Sequence, residues 1–547
     1  MNRLAIIGGV LALIAIGGFL LFKQYWYYLP GVIGDIKNPV AAYREIAWSP
    51  GPEQAAAGER PPNVVVILAD DLGYNDISLN GGGVAGVVQT PNIDAIGRDG
   101  VIVDQGYAGN ATCSPSRAAI MTGRYPTRFG FEFTSAPVEF ARYIARSSQG
   151  DMRQAMFHEE RVQAVPPRET LGLPPGEITI AEMLRDRGYH TMLIGKWHLG
   201  ETSSMRPEAQ GFDESLGIMQ GASMFLPPNH PNVVNARLDF DPIDRFLWAN
   251  LRYAIDWHGA GGDARFRPND YLTDYLAREA EAAIEANRNR PFFLYLSFNA
   301  VHTPLQATRE DYDALANIPD HTQRVYGAMV RALDRGVGRV MQALRDNGLD
   351  DNTIVIFVSD NGGAWYTGLA DINAPFRGWK STFFEGGIRT PYFIRWPAGL
   401  PRGARIAGPA THMDIFATAA AAAGAPDQPQ LDGINLLPYL RGQTQPDRTL
   451  YWRSGPYRVV RDGDWKLQVS ETPDRVWLFN LHDDPTEQHD LSAQQPERVA
   501  AMRAMIEAQN AGLPPPLWPA LIEGPVRIDV PLNAPWSEDQ DYIYWSN

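Results

Sequence analysis

Asn63-Val64-Val65-Val66-Ile67-Leu68 runs directly into Ala69-Asp70-Asp71-Leu72-Gly73. A continuous β-branched run without polar alternation suits a strand buried on both faces, as in a parallel sheet covered by helices. This strand ends in two adjacent carboxylates. Ligands of open α/β sheets bind at the carboxyl ends of the strands, so fold and candidate site are read from one stretch.

Working outward, the same design recurs. Thr353-Ile354-Val355-Ile356-Phe357-Val358-Ser359 leads into Asp360-Asn361-Gly362-Gly363, and His190-Thr191-Met192-Leu193-Ile194 into Gly195-Lys196-Trp197-His198. Phe292 to Phe298 leads into Asn299-Ala300-Val301-His302-Thr303-Pro304. In extended backbone Lys196 and His198 point to one side, so a cation and an imidazole are expected to converge. Val101-Ile102-Val103 and Pro391 to Trp396 are further strands. Helices are expected at Pro91 to Gly100, from a Thr179-x-x-Glu182 capping box to Arg187, and at Asp270 to Arg288, Thr322 to Arg345 and Asp414 to Ala423. In the fourth of these, Val325, Met329, Leu333, Val337, Val340, Met341 and Leu344 form a core-facing stripe. Alternating strands and helices define a large α/β unit. Residues 134–177 and 201–268 lack periodicity and read as loop-rich insertions, the first a candidate cover for a site.

After a Pro- and Gln-containing linker near 425–447, Leu450 to Trp452, Tyr457 to Arg461, Trp465 to Val469 and Trp477 to Asn480 read as an antiparallel meander, followed by an amphipathic helix at Pro496 to Ala508. This is a smaller C-terminal α+β domain. Residues 512–547 are Pro-rich and aromatic and read as an extended tail. The boundaries expected are 1–23 for an N-terminal anchor or signal, 24–60 for a spacer, 61–445 for the catalytic domain and 446–547 for the C-terminal subdomain and tail.

Leu4 to Phe22 carries no charge and is flanked by Arg3 and Lys23, about the length of a bilayer-crossing helix. The bulky Gln24-Tyr25-Trp26-Tyr27-Tyr28 that follows is unlike a small-residue cleavage site, which favours an uncleaved anchor over a signal peptide. The expectation is an exported protein, anchored in the membrane by its N-terminal helix and facing the periplasm or extracellular side. The chain of 547 residues has a formal charge of −15 and no dense basic run, which argues against a nucleic-acid partner.

Asp70, Asp71, Asp360 and Asn361 offer only oxygens, the donor set of a hard divalent cation such as Ca²⁺ or Mg²⁺. The single cysteine, Cys113, opens Cys113-Ser114-Pro115-Ser116-Arg117, where Pro and the following Arg-Ala-Ala-Ile-Met mark a helix start. One unpaired thiol in an exported chain must be either buried or chemically used.

Cys113-Ser114-Pro115-Ser116-Arg117 with Thr122-Gly123-Arg124 resembles the signature of the type I, formylglycine-dependent sulfatases of the alkaline phosphatase superfamily. Only Met121, in place of Leu, departs from the family pattern. The resemblance extends through Asp70-Asp71, Gly195-Lys196-Trp197-His198, Val301-His302-Thr303-Pro304, Asp360-Asn361-Gly362, Trp379-Lys380, Leu431-Asp432-Gly433-Ile434, and Asn480-Leu481 to Asp490-Leu491. It covers roughly 61 to 492.

The resemblance implies a large mixed β-sheet flanked by helices and the hydrolysis of a small-molecule or carbohydrate sulfate ester to sulfate and an alcohol. It implies that a formylglycine-generating enzyme converts Cys113, whose hydrated aldehyde attacks sulfur. One divalent cation would be held by Asp70, Asp71, position 113, Asp360 and Asn361. By the same resemblance Arg117 and His198 orient the hydrate, Lys196 and Lys380 hold the sulfuryl oxygens, His302 protonates the leaving alcohol, and His198 assists release of sulfate. The alternatives are a phosphate or phosphonate ester hydrolase of the same superfamily, a membrane-anchored head-group transferase, and a binding protein that keeps an inert thiol. Asp360-Asn361 argues against a dizinc phosphatase, whose relatives place Asp-His there.

Overall fold

The structure is a computed structural model that describes residues 3–56, 58, 60–147, 153–426 and 428–547. A ten-stranded mixed sheet forms the large unit. Its order across the sheet is Ala404–Thr411, Val101–Tyr107, Tyr392–Arg395, Thr353–Ser359, Asn63–Ala69, Phe292–Ser297, His190–Lys196, Glu214–Ile218, Ile255–His258 and Ala264–Phe266. The five strands from Thr353–Ser359 to Glu214–Ile218 are mutually parallel, so their C-terminal ends share one edge. Every residue of Asn63–Ala69 and of Thr353–Ser359 is buried, which is why both lack polar alternation.

Helices cover both faces. Leu272–Ala286 and His321–Asp346 pack on one side, with Val325, Met329, Leu333 and Val337 in the larger core. Cys113–Thr122, Ile180–Asp186 and Met413–Ala422 pack on the other. The capping box forms as expected, Thr179 Oγ1 accepting from the Glu182 N–H and Glu182 from the Thr179 N–H. Gly195 is required where it sits: its φ is +108°, and a Cβ there would lie 1.8 Å from the Ser297 carbonyl of the next strand.

The C-terminal meander is a four-stranded antiparallel sheet, Thr449–Ser454, Tyr457–Asp462, Trp465–Glu471 and Asp474–Asn480. Helix Pro496–Asn510 lays Met502 and Ile506 on it.

Several expectations change. The stretch 201–268 is loop-rich as expected but also carries Glu214–Ile218, Ile255–His258 and Ala264–Phe266, which extend the main sheet. The tail supplies two strands, Ile522–Arg527 and Tyr542–Ser546, which pair with each other, and the first also pairs with Met156–Phe157. Short strands such as these carry too few residues to show a period. The stretch expected as a spacer is docked. Trp48 is buried in the core, helix Leu29–Lys37 forms, Trp26 and Tyr27 pack on Tyr143, and the Gly31 N–H donates to Asn250 Oδ1 at 2.8 Å.

Among the described residues no helix is long and apolar enough to cross a membrane. The expected membrane segment, Leu4 to Phe22, lies partly outside them in its side chains, and the structure gives the membrane-crossing reading no support.

Candidate active site

The parallel strands deliver their polar ends to one buried point. Asp70 and Asp360 are tied to neighbouring strands, the Asp70 N–H donating to the Ala300 carbonyl at 2.9 Å and the Asp360 N–H to the Ala69 carbonyl at 3.1 Å. Asp71 adopts a left-handed backbone, φ +58°, and its N–H donates to Asp360 Oδ1 at 3.1 Å. Asn361 Nδ2 donates to Asp71 Oδ1 at 2.8 Å.

Cys113 is the first residue of helix Cys113–Thr122 and is 2% exposed. Its Sγ lies 3.6 Å from Asp70 Oδ1, 3.8 Å from Asp71 Oδ1 and 3.2 Å from Lys380 Nζ. One helical turn on, the fully buried Arg117 donates to Asp360 Oδ2 from Nε and Nη2 at 3.1 and 2.8 Å, and to the Lys196 carbonyl from Nη1 at 3.0 Å.

Each lysine is committed to one carboxylate. Lys196 Nζ meets the two oxygens of Asp70 at 2.9 and 2.8 Å, and Lys380 Nζ both oxygens of Asp71 at 2.8 Å. His302 Nδ1 donates to the Thr303 carbonyl at 2.5 Å and its Nε2 stands 3.7 Å from Asp71 Oδ2. His198 Nε2 donates to the Ser135 carbonyl at 3.2 Å, leaving Nδ1 buried without a partner. The two histidines therefore present opposite ring nitrogens as lone pairs when neutral. Lys196 and His198 do converge on the site, but His198 bends there through a left-handed φ of +60° rather than by strand alternation.

Burial and crowding set the ionisation. Asp70 is pushed up to about 7 by burial, against the pull of Lys196 and with Asp360 adding repulsion. Burial also opposes the charge on Asp71, but Lys380 and His302 override it and its pKa falls. The Cys113 thiol is driven upward by burial and by Asp360, so as a thiol it stays protonated and a poor nucleophile. Burial and the lysine charges hold His302 down to about 3 despite Asp71. Burial with Lys196 and Arg117 keeps His198 well below its ordinary value.

Among the described residues, ligand atoms of Asp70, Asp71, Cys113 and His302 lie within 4.8 Å of one another. Asn361 Oδ1 is buried with no partner beside them, which leaves one oxygen free to ligate a cation. The donors of Asp70, Asp71, Asp360 and Asn361 are hard oxygens, and a divalent cation would relieve the repulsion among the three carboxylates.

Direct contacts join Asp70, Asp71, Cys113, Arg117, Lys196, His302, Asp360, Asn361 and Lys380, while His198 bonds to Ser135 and is linked to them through the charges of Lys196, Arg117 and Lys380. Tyr366 was missed, although its hydroxyl donates to Asp71 Oδ2 at 3.0 Å and lies 3.2 Å from Lys380 Nζ. It is one of 22 tyrosines in an aperiodic loop, and nothing local marks it. Ser297, whose Oγ accepts from Arg117 Nη1 at 2.5 Å, ends an apolar strand and could have been read from that position.

A mixed α/β sheet whose parallel strand ends hold a buried, metal-competent carboxylate cluster beside a cysteine at a helix start is the arrangement that the resemblance to hydrolases of the alkaline phosphatase superfamily implies. Residues 62–425 match the family model described as Sulfatase, and the chain belongs to the sulfatase family; it is a sulfuric ester hydrolase. It is 34% identical over 468 residues to a steryl-sulfatase of Mus musculus, covering 74% of this chain and 69% of that protein. It is 32% identical over 429 residues to an N-acetylgalactosamine-6-sulfatase of Mus musculus, covering 76% and 73%. Among solved structures, Ps i-CgsB in complex with k-i-k-neocarrahexaose superposes with a TM-score of 0.68 at 31% identity, covering 84% of this chain and 95% of that one. A phosphonate monoester hydrolase of Agrobacterium radiobacter, at 19% identity and a TM-score of 0.54, shares the fold alone.

Proposed function

We propose that this chain hydrolyses a small-molecule or carbohydrate sulfate ester at Cys113 after its conversion to formylglycine by a formylglycine-generating enzyme, with one divalent cation, Ca²⁺ or Mg²⁺, in the carboxylate cluster. The carrying observation is the setting of Cys113 Sγ, 3.2 Å from Lys380 Nζ and within 3.8 Å of Asp70 and Asp71, where a thiol is held protonated. Formylglycine supplies a hydrated aldehyde, one hydroxyl of which attacks sulfur while the other allows sulfate to leave. Asp70, Asp71, Asp360, Asn361 and position 113 would hold the cation, which supplies Lewis acidity and lowers the pKa of a bound hydroxyl.

The charges support an anionic substrate. Arg117, Lys196 and Lys380 balance Asp70, Asp71 and Asp360, so a divalent cation leaves the site with surplus positive charge for a sulfate group. Lys380, beside position 113, holds a sulfuryl oxygen and the charge that develops on it, and Lys196 does so from the Asp70 side. Arg117 anchors Asp360 and the first turn of the helix, which orients position 113. His198, neutral and with its Nδ1 lone pair free, takes a proton. His302 is held neutral by burial and the lysine charges while its Nδ1 donates to Thr303; its Nε2 takes up a solvent proton as the anionic ester arrives and passes it to the leaving alcohol.

Residues 61–445 act as the catalytic domain, with 446–547 as its C-terminal subdomain and tail. Export with the N-terminal helix at a membrane rests on the uncharged run Leu4 to Phe22 flanked by Arg3 and Lys23.

Two measurements test the reading. Protein from a host able to convert the cysteine should show formylglycine in the Asp99 to Arg117 peptide by mass spectrometry, and it should cleave an aryl sulfate faster than the matching aryl phosphate. An unmodified thiol in active protein removes the proposed nucleophile; much faster phosphate turnover favours the phosphate or phosphonate ester hydrolase instead.

A further inference from the structure

The loop carrying Lys380 is gripped from outside the main sheet. Arg377, at its start, pairs with Asp529 at 2.5 Å and Asp541 at 3.0 Å, both in the C-terminal segment. The Phe383 N–H donates to the Tyr457 hydroxyl at 3.1 Å, and the Glu385 N–H donates to Glu487 Oε2 at 2.5 Å. Between Glu385 and Glu487 stands Lys466 Nζ, 2.8 Å from one and 3.0 Å from the other, with all three side chains fully buried. Lys466 lies on the third strand of the small C-terminal sheet, and no earlier step of the chemistry uses it.

The turn held in this way touches the site twice. The Lys380 N–H donates to the Gly363 carbonyl at 3.0 Å, and the Gly362 N–H donates to the Gly387 carbonyl at 3.0 Å. Gly363 and Gly362 directly follow Asn361. The turn is packed closely on the site, since a Cβ on Gly362, beside Asn361, would lie 1.9 Å from the Gly386 carbonyl. A buried ion-paired cluster is weak evidence for stability, because an apolar replacement of the same shape can serve as well. Its directional bonds do fix where the loop sits.

We infer that Lys466 is a positioning residue for sulfate ester hydrolysis: by joining Glu385 to Glu487 it clamps the 377–389 loop against the C-terminal sheet and so sets the place of the Lys380 ammonium beside position 113. The inference rests on the role given to Lys380 above. Misplacing a group by about 1 Å costs on the order of 100-fold in rate.

The test is a double-mutant cycle on the full-length, converted enzyme with an aryl sulfate, combining Lys466→Met and Lys380→Ala. Folded Lys466→Met should lose about 10- to 100-fold in kcat with KM changed by less than about threefold, and the double variant should be no more than about threefold slower than Lys380→Ala alone. Losses that multiply, or native kcat in folded Lys466→Met, overturn the inference. Native kcat in Lys380→Ala instead overturns the role of Lys380, and the inference with it. Should Lys466→Met fail to fold, Tyr457→Phe removes the hydroxyl that accepts from the Phe383 N–H and donates to Gln468 Oε1. It should lose about 3- to 10-fold in kcat, again without adding to Lys380→Ala; native kcat in that variant overturns the clamp.

Discussion

The backbone N–H of Ser381 donates to the carbonyl of Ala111 at 2.8 Å, so the loop that carries Lys380 is hydrogen-bonded to the loop that leads into the helix opened by Cys113. Ser381 adopts a left-handed φ of +68° to make the contact. Nucleophile and cation are thereby registered through backbone, and the chemistry depends on side chains whose removal leaves that frame standing.

Cys113→Ala should abolish sulfate release, a loss on the order of 10³-fold or more, while the protein folds normally. The thiol is small and buried, and alanine leaves only a slight void. Sulfate release and the urea unfolding midpoint, measured together, check this; retained activity would rule out position 113 as the nucleophile.

Arg117→Met should destabilise strongly, by about 3–5 kcal/mol, because it strands the buried carboxylate of Asp360 without its partner. Urea unfolding of the purified variant reads the effect. A change below about 1 kcal/mol would mean that Asp360 finds another counter-charge.

Chelation should remove activity and lower the thermal midpoint, because Asp70, Asp71 and Asp360 then repel with less compensation. A ligand that binds only the folded state stabilises it by RT ln(1 + [L]/Kd). Adding back Ca²⁺ or Mg²⁺ separately should restore both properties with one ion better than the other, which identifies the cation. Unchanged activity in excess chelator would sink the metal assignment.

His190, remote from the site, sets a pH dependence of stability. Burial opposes its charge, but Asp213 at 3.3 Å and Glu214 at 2.9 Å hold its proton, and its pKa is raised above 6.5 despite Arg290. A base whose folded-state pKa is raised contributes stability fully below its unfolded pKa and loses it as pH rises through the folded value. The urea midpoint should therefore fall as pH rises from 6 toward 8, and fall less in His190→Gln. Equal pH slopes in the two proteins would contradict this.

Much of the site is legible in the chain itself because its signals are local. Asp70, Asp71, Asp360 and Asn361 directly follow buried apolar strands, Cys113 opens a helix within a few residues, and the Thr179–Glu182 box spans one turn. Strand type and helix caps are decided over such short spans, by side-chain branching and by unpaired backbone donors near the end of an element. By itself the sequence determined the α/β class, the polar strand ends and the cysteine motif.

Tertiary structure decided which polar end meets which. The strand order brings the ends of Asn63–Ala69 and Thr353–Ser359 side by side, commits Lys196 to Asp70 and Lys380 to Asp71, places Tyr366 on Asp71, and joins Lys466 of the small sheet to Glu385. The Lys380–Asp71 contact joins residues 309 apart in the chain, and the Lys466–Glu385 contact residues 81 apart. No periodicity reaches that far, because such pairings are the outcome of packing the whole sheet and its helices at once.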